Sequence, residues 1–590
     1  MCGIAGVFGR EDAETVRAMT DALLHRGPDE GLVVSGDGFT LGARRLSIVD
    51  VEGGTQPLAN ETERIWAAQN GELYGFARIR EGLLERGHEL RTRCDTEILP
   101  HLYEEHGDAL VHELDGMFAL AIWDGEHGRG LLARDRTGKK PLYTLERDGE
   151  LWFASELKAL LLVPGFERVL DLESMHHYLS FKHVPGPRTI FRGIRSLPPA
   201  HTLSWSGGKT SVPARYWRPR FDAPDPPSED DAVEQLDALL RRGVERRLMG
   251  DVPIGFFLSG GLDSSLSTAI AAELASGPVR TFTLGYAGGS STPGKEADRR
   301  WAAWVAERYG TDHAEEEVDV GRFPETIGPI LRAFDEPFAG VVSTYFLAEL
   351  IARHVKVAVS GDGADELFGS YRSHRLAAAD PTGDEVARRT GLLVLSEAEK
   401  HGLYTPAVRE ALAGASSPRE VERSFAGLTA TGALNRTLES EFLTVFPDQV
   451  LAFVDRLSMA HSLEVRTAYL DTAVVELVAG LPGELKIREG RTKHLLKRVA
   501  ARYFPAEMIE RPKEGFVMPV TDWLLADLEP YVRETLAPAR LADAGVFDPA
   551  AVTALVDGFY REGGDWRYGN KILALVVFQE WFELYRPRVP

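Results

Sequence analysis

The segment FFLSGGLDSS, from Phe256 to Ser265, carries the clearest structural signal in the chain. It follows a largely apolar run that begins at Val252, and the residues after it favour a helix. Small residues, several with hydroxyl groups, therefore lie where a strand passes into a helix. Backbone N–H groups at such a helix start form an anion site. Because the helix dipole contributes only about 0.3 to 2 kcal/mol, a triphosphate bound there also needs a divalent cation.

This loop is not of the Walker A type. That motif requires G-x4-G-K-[ST], and the only GKT, Gly208 to Thr210, has Leu203 at the position of the first glycine. We therefore interpret Gly208–Thr210 as a surface turn. An ordinary strand-to-helix turn is the alternative interpretation of SGGLDSS, and the concentration of small and acidic residues argues against it.

A second loop, SGDGADE from Ser360 to Glu366, follows another predicted strand, Val355–Val359. Taken alone, three acids in a loop are usually solvated. In a parallel sheet, however, the carboxyl ends of neighbouring strands meet at one edge, where ligands bind. We therefore expect these carboxylates to face the same metal and pyrophosphate as the first loop.

The pattern around both loops is strand, loop, helix. Val252–Leu258, Val279–Tyr286 and Val355–Val359 are predicted strands, and a helix is predicted near residues 296–309. This alternation predicts a doubly wound parallel sheet. From about residue 385 onward, most segments are predicted to be helical.

The earlier part of the chain has a different pattern. Met117–Asp124 and Gly130–Asp135 are predicted consecutive strands, and a hairpin is predicted to turn at Asp148–Gly149. Helices are predicted near residues 13–24 and 95–106. Such a mixture predicts packed antiparallel sheets with helices outside them.

A proline-rich segment, Arg218 to Ala232, separates the two patterns and is a predicted linker. We therefore predict one domain at residues 1–215 and a second at residues 216–590.

Composition restricts the partners. The 590 residues carry 67 basic and 89 acidic side chains, a net charge of −22, which argues against a nucleic acid or an anionic membrane as the main partner. Two cysteines cannot form a disulfide framework, which favours a reducing compartment. Because no apolar run approaches the roughly 18 to 20 residues that span a bilayer, we expect a soluble cytoplasmic protein without a nucleic-acid or membrane partner.

Two sets of motifs resemble a known family. The first set resembles class II glutamine amidotransferase domains: MCGIAG, HRGPD (His25–Asp29), RRLSIVD (Arg44–Asp50), NGELY (Asn70–Tyr74) and CDTE (Cys94–Glu97). The second resembles the synthetase half of glutamine-hydrolysing asparagine synthetases: SGGLDSS, DEPFA (Asp335–Ala339), SGDGADE and DRLSMAHSLEVR (Asp455–Arg466). The resemblance implies an α/β protein. An N-terminal αββα sandwich of antiparallel sheets would begin with a cysteine, and a doubly wound parallel-sheet ATP-binding domain with helical C-terminal additions would follow.

The resemblance implies a glutaminase site at Cys2. Removal of Met1 would leave Cys2 first in the chain, with its thiol as the nucleophile and its own α-amine, which titrates near about pH 8, as the base. Asn70 and the backbone of Gly71 would form the oxyanion hole. The other implied glutamine-binding residues are Arg45 for the α-carboxylate, Glu72 and Asp95 for the α-ammonium, and Leu46, Ser47, Ile48 and Val49. Cys94 is interpreted as structural.

The resemblance also implies an ATP site on the two loops. Asp362 and Lys493 match catalytic groups near an adenylate, although a solvated lysine is the alternative for Lys493. Asp263 and Asp365 match positions that hold Mg²⁺ and pyrophosphate. The implied ATP-binding residues are Leu258, Leu284, Ser360 and Gly361 for adenosine, and Ser259, Gly260, Gly261, Asp263, Ser264 and Ser265 for the phosphates.

The implied reaction uses both sites. ATP and a carboxylic acid form an acyl-AMP and pyrophosphate, with Mg²⁺ as the cofactor. Cys2 releases ammonia from glutamine and leaves a thioester that water hydrolyses. Ammonia passes through a dry conduit, because in bulk water it would be mostly protonated, and attacks the acyl-AMP to give an amide. The implied ligands are ATP, glutamine and a carboxylic-acid acceptor, and a homodimer is a possible assembly because family members are often dimers.

The sequence departs from the family pattern where an acceptor pocket is expected. DEPFAGVVSTY is two residues shorter than the usual DEP-x-x-D-x-S-x-x-PTY, and Arg466–Asp471 is RTAYLD instead of RVPFLD. Gly75 also replaces the last asparagine of the usual NGEIYN. Aspartate, giving asparagine, is the default acceptor, and a specialised-metabolite or sugar-linked carboxylate is the alternative.

Three other interpretations remain. A non-catalytic scaffold would not require Cys2, Arg45, Asn70 and the phosphate loop together. A glutaminase without synthetase activity would form its product independently of ATP. A ring-closing enzyme would use an internal amine, which would make Cys2 superfluous.

Overall fold

Three β-sheets organise the chain. The computed structural model describes residues 2–286, 295–511, 520–525, 527–563 and 565–590, so the predicted removal of Met1 lies outside the described residues. The strands are β1 (Cys2–Phe8), β2 (Glu30–Gly36), β3 (Phe39–Arg45), β4 (Leu58–Ala59), β5 (Ile65–Leu73), β6 (Gly116–Asp124), β7 (Arg129–Arg134), β8 (Tyr143–Arg147), β9 (Glu150–Ala154), β10 (Ile194–Ser196), β11 (His201–Ser206), β12 (Lys209–Thr210), β13 (Ala214–Arg215), β14 (Ile254–Phe257), β15 (Arg280–Tyr286), β16 (Asp312–Val318), β17 (Val357–Ser360) and β18 (Glu464–Thr467).

The helices surround these sheets and fill most of the C-terminal part. The α-helices are α1 (Ala13–Asp21), α2 (Phe76–Glu85), α3 (Ile98–His106), α4 (Leu157–Leu160), α5 (Leu172–Phe181), α6 (Glu229–Arg247), α7 (Leu262–Leu274), α8 (Lys295–Tyr309), α9 (Phe323–Phe334), α10 (Ser343–Ala352), α11 (Ala364–Phe368), α12 (Arg372–Ala379), α13 (Glu385–Thr390), α14 (Glu397–Leu403), α15 (Pro406–Ala411), α16 (Ser417–Ser424), α17 (Ala433–Leu443), α18 (Ala452–Met459), α19 (Thr472–Gly480), α20 (His494–Ala500), α21 (Ala506–Ile509), α22 (Val520–Leu525), α23 (Glu529–Thr535), α24 (Pro538–Ala544), α25 (Pro549–Glu562) and α26 (Trp566–Tyr585). Short 3₁₀ helices cover Asp95–Glu97, Gly107–His112, Val320–Arg322 and Gly483–Leu485, and a π-helix covers Phe446–Leu451.

The first two sheets are antiparallel and lie face to face. The first sheet has the order β10–β8–β9–β1–β3–β2, and the second has the order β12–β11–β7–β6–β5–β4, with β13 beside β11. Side chains alternate across a strand, so each sheet presents one apolar face to the other. The shared core includes Ile4, Phe8 and Leu41 from the first sheet and Ala121, Trp123 and Leu132 from the second.

Helices cover the outer faces of both sheets. Val16 and Met19 of α1 pack against the first sheet, and Ile98 and Leu102 of α3 pack against the second. The predicted αββα sandwich is therefore confirmed. The predicted hairpin also forms: Asp148 and Gly149, between β8 and β9, have φ angles of 52° and 82°, as a type I′ turn requires.

The third sheet is parallel and has the order β16–β15–β14–β17–β18. Each of its strand pairings is parallel, and helices connect its strands. The direction of winding reverses between β14 and β17, which is the point where open sheets of this type bind ligands, beyond the carboxyl ends of the strands. The predicted doubly wound sheet is confirmed, and both predicted loops leave the two strands at the reversal.

One strand was not predicted. The chain after residue 385 was expected to be mostly helical, yet Glu464–Thr467 forms β18 and pairs with β17. This strand has only four residues, and two of them, Glu464 and Arg466, are charged. A short strand that carries buried charges lacks the apolar run that predicts a buried parallel strand.

The predicted linker is partly helical. The helix α6 begins at Glu229, where the Ser228 side chain accepts a hydrogen bond from Asp231 N and caps the first turn. The predicted division after residue 215 falls between β13 and α6, and as a domain boundary it remains a prediction.

The C-terminal helices contact both the N-terminal part of the chain and the part that carries the parallel sheet. Ile572–Trp581, the apolar stretch of α26, is buried. Tyr178 OH, from the N-terminal part, donates to Ala574 O over 2.9 Å, and Trp581 Nε1 donates to Asp335 O over 2.8 Å. Among the described helices, none has the length and apolar character needed to cross a membrane.

Candidate active sites

The start of β1 places Cys2 inside the protein. Cys2 pairs with Arg45 of β3 in the sheet register and is 4% exposed. Gln56 Nε2 donates to its Sγ atom over 3.6 Å. Burial raises the pKa of the Cys2 thiol, while a backbone hydrogen bond from Leu46 and the Arg45 guanidinium act in the opposite direction. The thiol is therefore protonated at neutral pH and needs a base to become a nucleophile.

The strand β5 brings Asn70 to Cys2. With its amide oriented by its neighbours, Asn70 Nδ2 donates to the backbone oxygen of Cys2 over 2.6 Å, and Oδ1 accepts from Arg26 Nη2 over 3.3 Å. Gly71 follows in the same strand, and a Cβ atom there would overlap the carbonyl oxygen of Met117 in β6. Only glycine permits this approach of the two strands. The oxyanion-hole role of Asn70 and Gly71 stays a prediction.

Two buried carboxylates, Glu72 and Asp95, lie near Cys2. Burial raises the pKa of both carboxyls, and repulsion from Asp95 raises that of Glu72 further. Leu73 N donates to Asp95 Oδ2 over 2.9 Å, and Arg466 Nη2 donates to Glu72 Oε2 over 3.1 Å. Glu72 Oε1 is buried and has no hydrogen-bond partner among the residues that the structure describes. An ammonium group there would offset the cost of burying two carboxylates.

The Arg45 guanidinium holds the loop that follows β3. Its Nη2 atom donates to the carbonyl oxygens of Val49 and Asp50 over 2.8 and 2.6 Å, and Nη1 donates to Glu30 Oε2 over 3.1 Å. Arg45 is thus buried beside Cys2 but already engaged. Its predicted contact with a glutamine α-carboxylate stays a prediction.

The other predicted glutamine-binding residues of this loop lie where the N-terminal part meets the parallel sheet. Leu46 and Ile48 are buried and cluster with Val357 of β17, and Val49 packs against the same cluster. Ser47 N donates to an oxygen of the Asp29 carboxylate over 2.8 Å. The loop therefore connects the surroundings of Cys2 to β17, the strand that leads into the second predicted ATP-binding loop.

The hydroxyl groups of the loop after β14 form hydrogen bonds within the loop itself. Ser259 Oγ and Ser264 Oγ are 3.0 Å apart, and Gly261 N donates to Ser259 Oγ over 3.3 Å. Ser265 Oγ, in the first turn of α7, is buried and has no hydrogen-bond partner within the described parts of the chain. These groups form the compact turn that was predicted to receive phosphates, and phosphate binding stays a prediction.

Gly260 has the backbone conformation that this turn requires. Its φ angle is 71°, and a Cβ atom there would overlap the carbonyl oxygen of Asp298 in α8. Arg511 Nη2 donates to Gly260 O over 2.6 Å and Nη1 pairs with Asp298 Oδ1 at 2.6 Å. Arg511 was not predicted as a site residue, although it places a guanidinium against the loop.

The predicted adenosine residues lie at the strand ends. Leu258 and Leu284 are buried, and Leu258 N donates to Phe282 O over 2.8 Å. Ser360 ends β17, and Gly361 follows it. A Cβ atom on Gly361 would lie 3.0 Å from both Asp263 Cβ and Ser264 N. The two loops are therefore in contact, as the parallel sheet predicts.

Lys493 lies between two carboxylates. Its Nζ atom is 2.5 Å from Asp263 Oδ2 and 2.5 Å from Asp365 Oδ1. Lys493 directly precedes α20 and is 4% exposed, so it is not a solvated lysine. Burial alone would lower the pKa of Lys493, but the two carboxylates raise it and keep the ammonium charged. The structure thus brings together the predicted residues of the first loop, the second loop and α20.

Asp263 and Asp365 also fit a divalent cation. Their carboxylate oxygens converge on one position, which here is the Lys493 ammonium. Mg²⁺ prefers oxygen ligands and is usually bound by one or two carboxylates together with substrate phosphates. Tyr469 OH donates to Asp263 O over 2.9 Å and so fixes the backbone of the first loop.

Asp362 lies at the junction of β17 and β18. Ser360 Oγ donates to Asp362 Oδ2 over 2.6 Å, and Thr467 Oγ1 donates to Asp362 O over 2.6 Å. Ser360 of β17 therefore holds the predicted catalytic carboxylate, and a side chain of the unpredicted strand holds the backbone of the same residue.

The same strand connects the two candidate sites. Arg466 is fully buried and pairs with Glu464 at 2.6 Å as well as with Glu72 at 3.1 Å. Burial alone would lower the pKa of Arg466, but these two carboxylates raise it. Thr467, the next residue, contacts Asp362. Two consecutive residues of β18 thus contact the predicted ammonium-binding Glu72 on one side and the predicted adenylate site on the other.

A second buried connection runs through Arg26. Arg26 Nε donates to the backbone oxygen of Cys2 over 3.2 Å, and Nη1 pairs with Glu156 at 2.8 Å and with Asp455 at 2.9 Å. Lys140 Nζ pairs with Asp455 at 3.1 Å. A small cavity adjoins this group and is lined by residues that include Lys140, Asp362, Leu451, Asp455, Val465 and Thr467.

A larger cleft adjoins this cavity. Lys139 and Asp455 line both spaces, and Glu336, Phe338 and Arg456 line the cleft. Glu336 and Phe338 belong to DEPFA, the part of DEPFAGVVSTY that directly precedes the departure from the family pattern. The departing segment therefore begins next to a cleft that borders the cavity beside Asp362.

Sequence reasoning assigned no role to several of these residues. Arg26, Asp455 and Arg466 lie in the motifs HRGPD and DRLSMAHSLEVR, which were used only to recognise the resemblance. Neither motif contains a predicted catalytic group. The charged residues inside these motifs were therefore the available signal that the motifs make structural contacts. Thr467 lies in RTAYLD, which was noted only as a departure near an expected acceptor pocket, and Arg511 carried no signal, because its contacts come from chain segments that are distant in sequence.

Comparisons with known proteins match both parts of the chain. The family model for asparagine synthase matches residues 235–583, and the model for a glutamine amidotransferase domain matches residues 1–217. The chain is a glutamine-dependent amidotransferase and a carbon–nitrogen ligase of the asparagine-synthetase type. It belongs to the asparagine synthase family.

Curated relatives match along nearly their whole length. The glutamine-hydrolyzing asparagine synthetase 1 of Bacillus subtilis (strain 168) is 29% identical over 99% of this chain and 97% of its own. Asparagine synthetase 3 of the same organism is 30% identical over 99% of both chains. A putative asparagine synthetase of Mycobacterium tuberculosis (strain ATCC 25618 / H37Rv) is 30% identical over 99% of this chain and 97% of its own.

Proposed function

We propose that this protein converts aspartate to asparagine, with glutamine as the nitrogen donor and ATP as the activating substrate, through an acyl-AMP. The relatives described above are named as glutamine-hydrolyzing asparagine synthetases, which supports aspartate as the acceptor. One observation carries the proposal: Arg466 contacts Glu72 beside Cys2, and the adjacent Thr467 contacts Asp362 beside the phosphate loop. A strand that contacts both sites is expected if ammonia formed at the first site is consumed at the second.

In the first half-reaction, the thiol of Cys2 attacks the side-chain amide of glutamine. Because burial raises the pKa of this thiol, a base must take its proton, and the α-amine exposed by removal of Met1 would serve. Asn70 Nδ2 and Gly71 N would donate to the developing oxyanion. Glu72 and Asp95 would bind the α-ammonium of glutamine, and Glu72 Oε1 would gain the hydrogen bond that it lacks. Ammonia leaves, and water hydrolyses the thioester.

In the second half-reaction, the acceptor carboxylate attacks the α-phosphorus of ATP and pyrophosphate leaves. Backbone N–H groups at the start of α7, with Ser264 and Ser265, would bind phosphate oxygens. The charge of Lys493 would neutralise the phosphates in a site with little water. Asp263 and Asp365 would hold Mg²⁺, which supplies positive charge to the departing pyrophosphate.

Ammonia would pass between the sites without entering bulk water, where protonation would remove its nucleophilic lone pair. The cavity beside Lys140 and Asp455 suits this passage, because it adjoins Arg26 on the Cys2 side and Asp362 on the other. The acceptor would occupy the larger cleft, where the Arg456 guanidinium suits a substrate with carboxylates.

The test of the acceptor is pyrophosphate release with ATP, Mg²⁺ and glutamine, with and without aspartate, and mass spectrometry of the product. We expect aspartate-dependent pyrophosphate and one asparagine for each pyrophosphate. Glutamate formation without aspartate-dependent pyrophosphate would reject aspartate, and the same assay with other acids would then identify the acceptor.

The test of the first site is the Cys2→Ala variant. We expect it to lose glutamine-dependent amide formation by at least about 10³-fold, because no thioester can form, and to keep amide formation from added ammonium. Cys94→Ala is the matched control, since Cys94 is the other cysteine and is also buried. Glutamine-dependent activity that survives in Cys2→Ala would reject the nucleophile assignment.

A further inference from the structure

Two histidines and two glutamates of the N-terminal part lie close together. The elements that carry them contain neither Cys2 nor the phosphate loop. Glu61 follows β4, His88 follows α2, and His101 and Glu104 lie one turn apart on α3. One possible ligand atom from each of these residues lies within 4.8 Å of the others. Neither half-reaction described above uses any of these four side chains.

The spacing of the first three ligand atoms suits a tetrahedral ion. His88 Nδ1 and His101 Nδ1 are 3.2 Å apart. Glu61 Oε1 is 3.3 Å from His88 Nδ1, and Glu61 Oε2 is 3.0 Å from His101 Nδ1. Zn²⁺ binds nitrogen and oxygen at about 2.0–2.1 Å, and a tetrahedron with such bonds separates each pair of ligands by about 3.3 Å. The three side chains already have the spacing of a bound ion.

The hydrogen bond on the far side of His88 also favours metal binding. His88 Nε2 lies 3.2 Å from Glu105 Oε1, and Arg86 Nε donates to the same oxygen over 2.6 Å. When the Nε2–H group donates a hydrogen bond to this carboxylate, Nδ1 carries the lone pair of His88. Nδ1 is the atom that faces the cluster. Metal-binding histidines commonly have such a carboxylate on the second nitrogen.

His101 Nε2 and one carboxylate oxygen of the half-buried Glu61 are buried and lack hydrogen bonds. His101 is 0% exposed, and its Nε2 atom has no hydrogen-bond partner among the residues that the structure describes. Glu61 Oε2 is buried and accepts no hydrogen bond of acceptable geometry from the described residues, although His101 Nδ1 is only 3.0 Å away. A cation between these atoms would satisfy both.

Glu104 provides the fourth position. Its Oε2 atom is 4.0 Å from His88 Nδ1 and accepts from Asn60 Nδ2 over 3.1 Å. The Glu104 side chain is 42% exposed, so a change of rotamer can shorten this distance at little cost. Two imidazoles and two carboxylates are a donor set that divalent zinc-class ions bind well.

We propose that Glu61, His88, His101 and Glu104 bind one divalent transition-metal ion of the zinc class. The ion would tie together the turn after β4, the segment between α2 and α3, and α3 itself. Asp95 lies in that segment, so the ion would also hold in place one of the carboxylates beside Cys2. We assign the ion a structural role, because neither of the two cavities described above is lined by any of these four residues.

A second cluster with histidine lacks these features. His177 Nε2 lies 3.7 Å from Glu173 and 3.6 Å from Glu420. Arg188 pairs with Glu173, and Arg423 pairs with Glu420, so both carboxylates already have cations. We therefore assign the metal to the first cluster alone.

The test is a cobalt titration of the full-length Cys2→Ala variant after chelator treatment, a background that removes the exposed-amine thiol as a competing ligand. We expect one Co²⁺ per chain, with the visible absorption of a four-coordinate ion and without the near-ultraviolet band of a cobalt thiolate. Added Zn²⁺ should displace it. Zn²⁺ should also raise the apparent unfolding temperature by several degrees, since it binds the folded chain preferentially.

Two variants and one control decide the outcome. Glu61→Gln and His88→Gln, each made in the Cys2→Ala background, should lose the bound cobalt and the thermal shift while they keep the far-ultraviolet circular dichroism of the parent. His127→Gln should keep both, because His127 is 72% exposed and pairs with Asp124 alone. If the parent binds no more cobalt than His88→Gln, the two imidazoles share a proton instead of a metal and the proposal is wrong.

Discussion

At the scale of single residues, Cys2 and Asn70 show how burial sets the chemistry. Burial raises the pKa of the thiol, so the resting group is a poor nucleophile and depends on a nearby base. Asn70 adds no charge, but its amide nitrogen lies 2.6 Å from the backbone oxygen of Cys2, the predicted nucleophilic residue. A neutral donor that is already in position stabilises an oxyanion without the cost of reorganisation.

The substitution Asn70→Ala tests this arrangement. We expect the kcat for glutamate formation to fall by about 10²–10³, with a smaller change in KM, because the lost donor acts mainly in the transition state. Amide formation from added ammonium in the same variant is the control and should remain near the wild-type rate. An equal loss of the ammonium-dependent activity would mean that Asn70 supports the fold instead of the oxyanion.

At the scale of elements, α17 and the end of α19 meet around Lys486. Lys486 is fully buried, and its Nζ atom donates to Asn435 Oδ1 over 2.7 Å and to Ala479 O over 3.2 Å. Burial lowers the pKa of Lys486 from 10.5 to about 7, although Asp222 acts in the opposite direction. The lysine thus joins two helices mainly as a hydrogen-bond donor that is close to losing its charge.

This lysine makes stability depend on pH in a defined direction. Between the folded pKa of about 7 and the unfolded pKa of 10.5, the unfolded chain binds one more proton than the folded chain. Raising the pH in this window therefore favours the folded state. The apparent unfolding temperature of wild type minus that of Lys486→Met should increase between about pH 7 and about pH 9. Lys209→Met, at an exposed position of β12, should show no such change.

At the scale of the whole molecule, buried ion pairs connect the antiparallel sandwich to the parallel sheet. Asp455 of α18 accepts hydrogen bonds from Arg26 and Lys140, which both belong to the N-terminal part. Glu72 in turn accepts a hydrogen bond from Arg466 of β18. Such pairs contribute little net stability compared with apolar packing, but removing one partner leaves the other charge buried and unpaired. They therefore fix how the two candidate sites face each other.

The substitution Asp455→Asn tests this connection. It removes one of the carboxylates that compensate the charges of Arg26 and Lys140. We expect the free energy of unfolding to fall by roughly 3–5 kcal/mol and the apparent unfolding temperature to fall with it. Because Asp455 also lines the cavity between the sites, the ratio of glutamate to pyrophosphate should rise above that of wild type. Asp543→Asn, which breaks an exposed pair with Arg586, is the control. An unchanged ratio would show that the cavity is not the route of ammonia.

The sequence by itself determined the two architectures and supplied the candidate residues of both sites. Alternating apolar residues, Gly and Asp at turns, and small residues between strand and helix are local patterns, and local patterns set local structure. They singled out Cys2, Asn70, Asp263 and Lys493 as candidate residues, because each lies in a short motif, and the roles of these residues stay predictions.

Only the tertiary structure decided what joins these local pieces. The strand β18 has too few apolar residues to be predicted, and it forms because β17 offers an open edge and because Glu464 and Glu72 neutralise Arg466. The pairing of Arg26 with Asp455 joins residues 429 positions apart. The histidine and glutamate cluster likewise brings three separate segments together. Contacts between distant segments leave no period or spacing in the sequence, since they depend on the packing of the completed fold.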